Sequence, residues 1–254
     1  MPSPDPRPTV EAPDDDPYLW LEEIDGERSL AWVEAQNKAT LARFDDARFV
    51  ADRATLTAIF DRPDNIPVIA RRGMRVFNFW KDAEHPRGLW RTTTLDSYRT
   101  EAPKWDILLD LDALAAKEGE DWTWSGAATL PGTHERAIAM LSRGGADAVV
   151  LREFDLLSRE FVPGGFTLPE AKGGAAWLDR ETLLLSSAWG EGMATSSGYA
   201  RAVRLWRRGT EPLAAPVIFE TDADHMAVGA DVDRESAEER LEFVERIGFF
   251  DAVL

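Results

Sequence analysis

Two hydrophobic periods divide the chain. Over residues 29–37 the apolar positions recur at helical spacing. Leu30, Val33 and Asn37 share one face, Trp32 stands beside them, and Ser29 can cap the first turn. A second helical run covers residues 49–60, with Leu56, Ile59 and Phe60 as its apolar side. The segment DRPDNIP (61–67) ends it, because two prolines and an Asp-Asn pair cannot continue a helix. Ahead of both runs, YLWL (18–21) forms a short aromatic hook and Asp25-Gly26 marks a turn.

Beyond Pro67 the period drops to two. Strand-like runs recur between turns: RVFNFWK (75–81), GLWRTTT (88–94) and KWDILLD (104–110). WTWSGAATL (122–130), RAIAMLSR (136–143), ADAVVLREFD (146–155) and EFVPGGFTL (160–168) form a second set. GAAWLD (174–179), TLLLSSA (182–188), ARAVRLWRR (200–208) and PVIFE (216–220) form a third, and HMAVGADVD (225–233) with RLEFVERIGFF (240–250) opens a fourth. The later sets start near 122, 174 and 225, a period of about 50 residues with about four strands in each. That is the pattern of β-propeller blades. LDALAAKEGE (111–120) interrupts it as an amphipathic helix between blades.

The expected fold is therefore mainly β. It is a partial β-propeller of about three and a half four-stranded antiparallel blades behind a short α-helical N-terminal segment. The expected organisation is a disordered leader over 1–15, a hook and helices over 16–66, and an incomplete propeller over 67–254. Its blades fall near 67–110, 122–168, 174–220 and 225–254. Propellers close as rings of about four to eight blades, and an open ring exposes sheet edges. The expectation is that this is the N-terminal part of a longer protein, or a fragment completed by another chain.

Composition narrows the partners. The net charge is −17, from 29 basic and 46 acidic residues, which repels phosphate backbones and argues against nucleic acid. There is no cysteine, which removes disulfides, thiolate nucleophiles and Cys-ligated metals and suits a reducing compartment. No apolar run approaches the roughly 20 residues that span a bilayer, so no membrane partner is expected. The N-terminal MPSPDPRPTVEAPDDDP has no apolar core of a secretory signal, and the cytoplasm is the expected location.

Candidate chemistry is sparse. No serine is flanked by glycines as G-x-S-x-G; the nearest are Ser125 in WTWSGAA and Ser197 in ATSSGYA, read as turn or surface serines. His85, His134 and His225 are far apart and lack an i, i+4 partner, so no metal site is expected. The carboxylate pairs Glu22/Glu23, Asp45/Asp46 and Asp110/Asp112 are adjacent or one residue apart, as on an ordinary acidic surface, rather than facing across a cleft. SRGGAD (142–147) and VPGGF (162–166) read as hairpin turns, not phosphate cradles. No catalytic residue and no cofactor is assigned.

The N-terminal segment carries a resemblance. Pro17, Tyr18, Trp20, Leu21 and Glu22, followed by Trp32, Val33, Glu34, Gln36 and Asn37, resemble the N-terminal signature of the prolyl oligopeptidase family of serine peptidases. FNFWKDAEHPRGLWRTT (77–93), ILLDLDAL (107–114), SRGGADAVVLREFDL (142–156) and SSGYARAVRLWRRGT (196–210) are similar to successive propeller segments of that family. The resemblance implies a two-part enzyme that cleaves short proline-containing peptides after proline. A catalytic α/β-hydrolase domain, absent from this chain, holds Ser, Asp and His, and a seven-bladed propeller gates access to it. Two supporting roles follow from it. Asp147, in the second-blade hairpin turn, either faces the hydrolase domain or is a solvated turn residue. The hook of Tyr18, Trp20 and Leu21 docks either on that domain or on this chain's first blade. The first case implies that Trp20 is more exposed or more poorly packed than the blade residue Trp80. The alternative function is a non-catalytic propeller, a binding or interaction module completed by oligomerisation.

Overall fold

The structure, a computed structural model, describes residues 16–62 and 64–254. The leader expected over 1–15 lies outside the described residues. The chain forms two compact units, Met1–Arg62 and Pro63–Leu254, so the division falls four residues before the expected boundary at 66.

The first unit holds a 3-10 turn, Leu19–Glu22, and two helices, α1 (Glu27–Phe44) and α2 (Ala47–Phe60). Helix α1 outruns its expected end at 37 because KATLARF is built almost entirely from strong helix formers. Ser29 is not its cap. Gly26 takes that position, and the buried Ser29 hydroxyl donates instead to the Trp20 carbonyl at 2.7 Å, tying the hook to the helix. Helix α2 is capped by Asp46, whose carboxylate accepts the Phe49 N–H at 2.9 Å.

The second unit is antiparallel β throughout. Strands β1 (Ile69–Arg72), β2 (Arg75–Trp80), β3 (Leu89–Thr94) and β4 (Asp106–Asp110) form the first blade in that order, with a one-turn helix α3 (Leu95–Tyr98) after β3. Helix α4 (Leu111–Glu118) follows, capped by Asp110 and ended by Gly119 in the left-handed conformation. Next come β5 (Trp122–Thr129), β6 (Arg136–Arg143), β7 (Ala148–Asp155), β8 (Glu160–Phe161), β9 (Thr167–Asp179), β10 (Thr182–Ser187), β11 (Ala202–Arg207) and β12 (Val217–Glu220). They make one eight-stranded sheet with the order β12-β11-β10-β9-β7-β6-β5, and β8 pairs with β7. The last blade has three strands, β13 (Ala227–Asp233), β14 (Arg240–Arg246) and β15 (Ala252–Val253). The blades do not close into a ring.

The second and third blades share a strand. The runs expected to be separate, FTL and GAAWLD, are the two halves of β9: Thr167 to Lys172 pair with β7, and Gly173 to Asp179 pair with β10. The changeover falls at Gly173. Its φ is +135°, and a Cβ there would lie 2.1 Å from the Ser186 carbonyl oxygen. Only glycine lets β9 leave one blade and press against the next.

Three apolar layers separate the blades. Phe77, Trp90, Leu111, Leu141 and Phe154 belong to the first, with Trp124 stacked 5.5 Å from Phe79. Ile138, Leu151, Phe166, Trp177, Leu183 and Trp206 belong to the second, where the Trp177 indole donates to the Ala128 carbonyl at 2.8 Å. Leu184, Val203, Val228 and Val232 belong to the third, beside a Phe219–Phe243 stack at 4.9 Å. All six residues of β10 are buried, because Leu183 and Leu185 enter one layer while Leu184 enters the next.

A polar clasp crosses the second layer. The Glu153 side chain is 1% exposed, and Arg208 grips it through two bonds of 2.6 and 3.1 Å. The Phe166 N–H donates to the same carboxylate at 2.9 Å, and a third Arg208 nitrogen reaches Glu181 at 2.9 Å. These bonds from Glu153 raise the pKa of the Arg208 guanidinium and keep it charged.

Replacement of Gly173 by alanine is expected to cost about 3 kcal/mol, the sum of a forced backbone shift and left-handed strain. At this chain size that lowers the thermal midpoint by roughly 6–12 °C. Differential scanning calorimetry of G173A reads it directly; an unchanged midpoint contradicts the changeover described for β9.

Candidate functional site

Strands β5, β9 and β13 line one concave surface enclosing about 860 Å³. Small residues from each strand line it side by side: Ala127 and Ala128 on β5, Gly174 and Ala175 on β9, Gly229 and Ala230 on β13. The signal for this wall lay in the sequence, as GAA at 126–128, GGAA at 173–176 and GA at 229–230, recurring with the blade period. Arg71, Arg72, Arg234, Asp231 and Glu235 supply its charge. Arg234 is fixed by donation to the carbonyls of Trp177 (2.9 Å) and Leu178 (2.7 Å). Arg71 donates to the Gly73 carbonyl at 3.0 Å. Such a surface can admit an extended chain and contact its charges.

The serines and histidines do not converge on a nucleophilic site. Ser125 is exposed at a bulge, where the β5–β6 register shifts between Trp124 and Gly126. Ser197 is spent locally, bonded to the Thr195 hydroxyl at 2.9 Å and donating to the Met226 carbonyl at 2.5 Å. His85 pairs with Asp82 at 3.0 Å, and Asp82 also accepts the Trp80 indole N–H at 2.9 Å. His225 meets Thr221 at 2.9 Å and Glu245 at 2.8 Å, but both contacts fall on Nδ1. An acid–histidine–nucleophile relay needs one partner on each ring nitrogen, so this cluster is not one. Among the described residues no serine hydroxyl is hydrogen-bonded to an imidazole.

Asp222, Asp224 and His225 could hold a metal ion: each offers one ligand atom, and these lie within 4.8 Å of one another. The two aspartates are exposed at a turn.

Asp147 and the hook acquire partners that their local sequence did not announce. Asp147, in the β6–β7 turn with its side chain 65% exposed, accepts the Tyr199 hydroxyl at 3.2 Å and lies 3.6 Å from the Lys172 ammonium. Lys172 in turn stands 4.5 Å from the centre of the Tyr199 ring. This cluster joins the second and third blades at the ends opposite to the Glu153 clasp. Tyr199 lies 52 residues from Asp147 in the sequence, a separation that no local pattern reveals. In the hook, Trp20 packs on helix α1 of its own unit. Its ring meets Trp32 edge-on at 6.3 Å, lies under the Arg28 guanidinium at 3.9 Å and donates to the Pro17 carbonyl at 3.1 Å. Tyr18 is exposed, and Leu21 is half-buried. Trp20 and Trp80 are both half-buried.

Antiparallel blades packed face to face along a glycine–alanine wall define a β-propeller segment, which follows a helical N-terminal unit in the sequence. The prolyl oligopeptidase N-terminal β-propeller domain family matches residues 9–237, and the chain belongs to that family. The uncharacterized peptidase y4nA of Sinorhizobium fredii (strain NBRC 101917 / NGR234) is 42% identical over 207 residues, covering 80% of this chain and 28% of the relative. The uncharacterized peptidase RP174 of Rickettsia prowazekii (strain Madrid E) is 30% identical over 222 residues, covering 84% of this chain and 31% of the relative. A post-proline cleaving enzyme from Rickettsia typhi superposes with a TM-score of 0.83 at 26% identity, over 92% of this chain and 35% of that one. The chain thus spans about a third of the length of the proteins it matches. Among the described residues no helix is long and apolar enough to cross a membrane.

The Glu245 cluster makes a pH prediction. Hydrogen bonds from Thr221 first, and then from His225, hold the Glu245 carboxyl below its ordinary value of 4.5. A carboxyl depressed in the folded state stabilises it above the unfolded value, and that contribution is lost as the pH falls through the folded one. Between roughly pH 5 and 3, E245Q is expected to lose less melting temperature than the wild type. Parallel acid limbs for the two proteins contradict the assignment.

Proposed function

We propose that the whole protein is a prolyl oligopeptidase-type serine peptidase that cleaves short peptides after proline. This chain supplies its N-terminal unit and part of the propeller that controls access to a catalytic α/β-hydrolase domain. The reading is carried by one observation: the superposition on a post-proline cleaving enzyme across 92% of this chain. The chemistry would be acyl transfer through a serine ester, with the nucleophile, base and oxyanion hole supplied by the hydrolase domain. The concave wall and its arginines suit passage of an extended peptide. In the same reading Tyr18, Trp20 and Leu21 dock on the hydrolase domain, and Asp147 meets a basic residue there. The exposure of Tyr18 and of the Asp147 carboxylate supports those roles. A chain without cysteine suits the cytoplasm.

A second reading, a binding propeller completed by oligomerisation, draws on Phe249 and Phe250, which are 81% and 96% exposed beside β15. Light scattering separates the two, since only the second requires a defined oligomer of this chain.

The peptidase reading predicts that the whole protein releases the chromophore from a Gly-Pro substrate while the 254-residue chain does not. Cleavage by the whole protein only after residues other than proline would overturn the specificity. Hydrolysis by the 254-residue chain that survives both S125A and S197A would overturn the placement of the chemistry.

A further inference from the structure

The geometry points to a binding site for an apolar carboxylate in the cleft between the first two blades, at the end of the sheets opposite to Asp147. The group it fits is a carboxylate next to an apolar side chain, as at the free C-terminus of a peptide or in a small aryl or alkyl carboxylic acid.

The cleft encloses about 410 Å³, a volume in the usual range for small-ligand sites. Its floor is apolar, made by the buried Phe77, Leu108 and Leu156. Its rim is cationic. Arg75 and Arg159 share a single carboxylate, Asp106, at 3.4 and 3.1 Å. Glu135, the other acidic residue of the wall, is paired with Arg180 at 3.4 Å. A guanidinium carries five N–H donors. Arg75 spends one nitrogen on Asp106 and another on the Thr92 hydroxyl, and Arg159 spends one on Asp106. Arg72 also lines the cleft, so its wall carries three arginines against the two carboxylates Asp106 and Glu135, one positive charge in excess, in a chain whose net charge is −17.

The backbone around this cleft is the least relaxed in the described chain. His134 and Arg159, with φ of 53° and 61°, are the only described non-glycine residues in the left-handed region. Each closes a tight hairpin loop, with its N–H bonded to the carbonyl four residues back, Leu130 at 3.1 Å and Asp155 at 2.8 Å. Glycine is the unstrained residue at such positions, histidine is among the residues that tolerate them, and a turn alone gives no reason for arginine there. Both side chains line the same cleft. His134 Nδ1 is moreover buried with no hydrogen-bond partner. Asp155 anchors the loop that presents Arg159. Its carboxylate accepts the Leu157 and Ser158 N–H groups at 2.8 and 3.0 Å and pairs with Arg136 at 3.0 Å.

The ligand class follows from these parts. Two guanidiniums offer planar pairs of donors that match a carboxylate. The aromatic and leucine floor directly beneath them takes an apolar group, whereas a bare phosphate would leave that floor in contact with water.

Arginine 159 provides the sharpest test, because glycine relieves its backbone while removing its charge. The 254-residue chain is titrated, by NMR chemical-shift mapping and calorimetry, with N-acetyl-Ala-Ala-Phe, 3-phenylpropionate and the amide of each. Each acid is expected to bind about tenfold or more tightly than its amide, with shifts at Gly73 and Gly132. R159G is expected to lose about tenfold or more in affinity with a melting temperature that is unchanged or higher. R75Q is expected to weaken binding in the same direction. Tighter binding of the peptide acid identifies a peptide C-terminus as the occupant, and tighter binding of phenylpropionate identifies a small acid. Equal affinity for acid and amide, absence of saturable binding, or R159G binding like the wild type would overturn the site.

Discussion

The middle strands β6 and β10 have no solvent face. In β6, Ala137 and Leu141 face the first apolar layer while Ile138 faces the second. In β10, Leu183 and Leu185 face the second layer while Leu184 faces the third. Each such leucine contributes roughly 1.5–3 kcal/mol by leaving water. The alternation means that no blade can be buried without a neighbour on either side. Strand order, the shared β9 and the small-residue concave wall all follow from that requirement. Gly173 is the point at which it is strictest, because there β9 leaves one blade and joins the next without an intervening loop.

Polar contacts act on this frame as alignment rather than as its source of stability. In the Glu153–Arg208 pair the carboxylate is buried and satisfied on every side while the guanidinium is partly exposed, and pairs with a buried charge stand near break-even against apolar replacements of the same shape. Removing one partner alone strands a buried charge, which is why the pair fixes the register of the second blade on the third. The Asp147–Lys172–Tyr199 cluster at the opposite ends is half in water and contributes about 1 kcal/mol or less. That leaves Asp147 free to serve another contact at little cost to the fold.

The sequence was legible wherever a period was imposed by burial. The double-sided runs AVVLREF and TLLLSS, and the repeat near 50 residues, announce blades because each strand must satisfy two layers at once. The end of α2 at the prolines was legible for the same local reason. Where one residue had two physical options, the sequence was silent. Ser29 reads as a cap, yet its hydroxyl is used on the Trp20 carbonyl. FTL and GAAWLD read as two strands, because a glycine pair looks like a turn until the close approach of Ser186 is seen. The pairing of Asp147 with Tyr199 and the convergence of Arg75, Asp106 and Arg159 join segments distant in the sequence, and only the packed blades bring them together.

The central claim is that face-to-face burial of the middle strands holds these blades. Native-state hydrogen exchange of the chain measures it most directly. The account predicts that the slowest amides lie in β6 and β10, and that those of β1, β12 and β15, each with one edge open, exchange far sooner. Protection in β6 and β10 no greater than in those edge strands would contradict it.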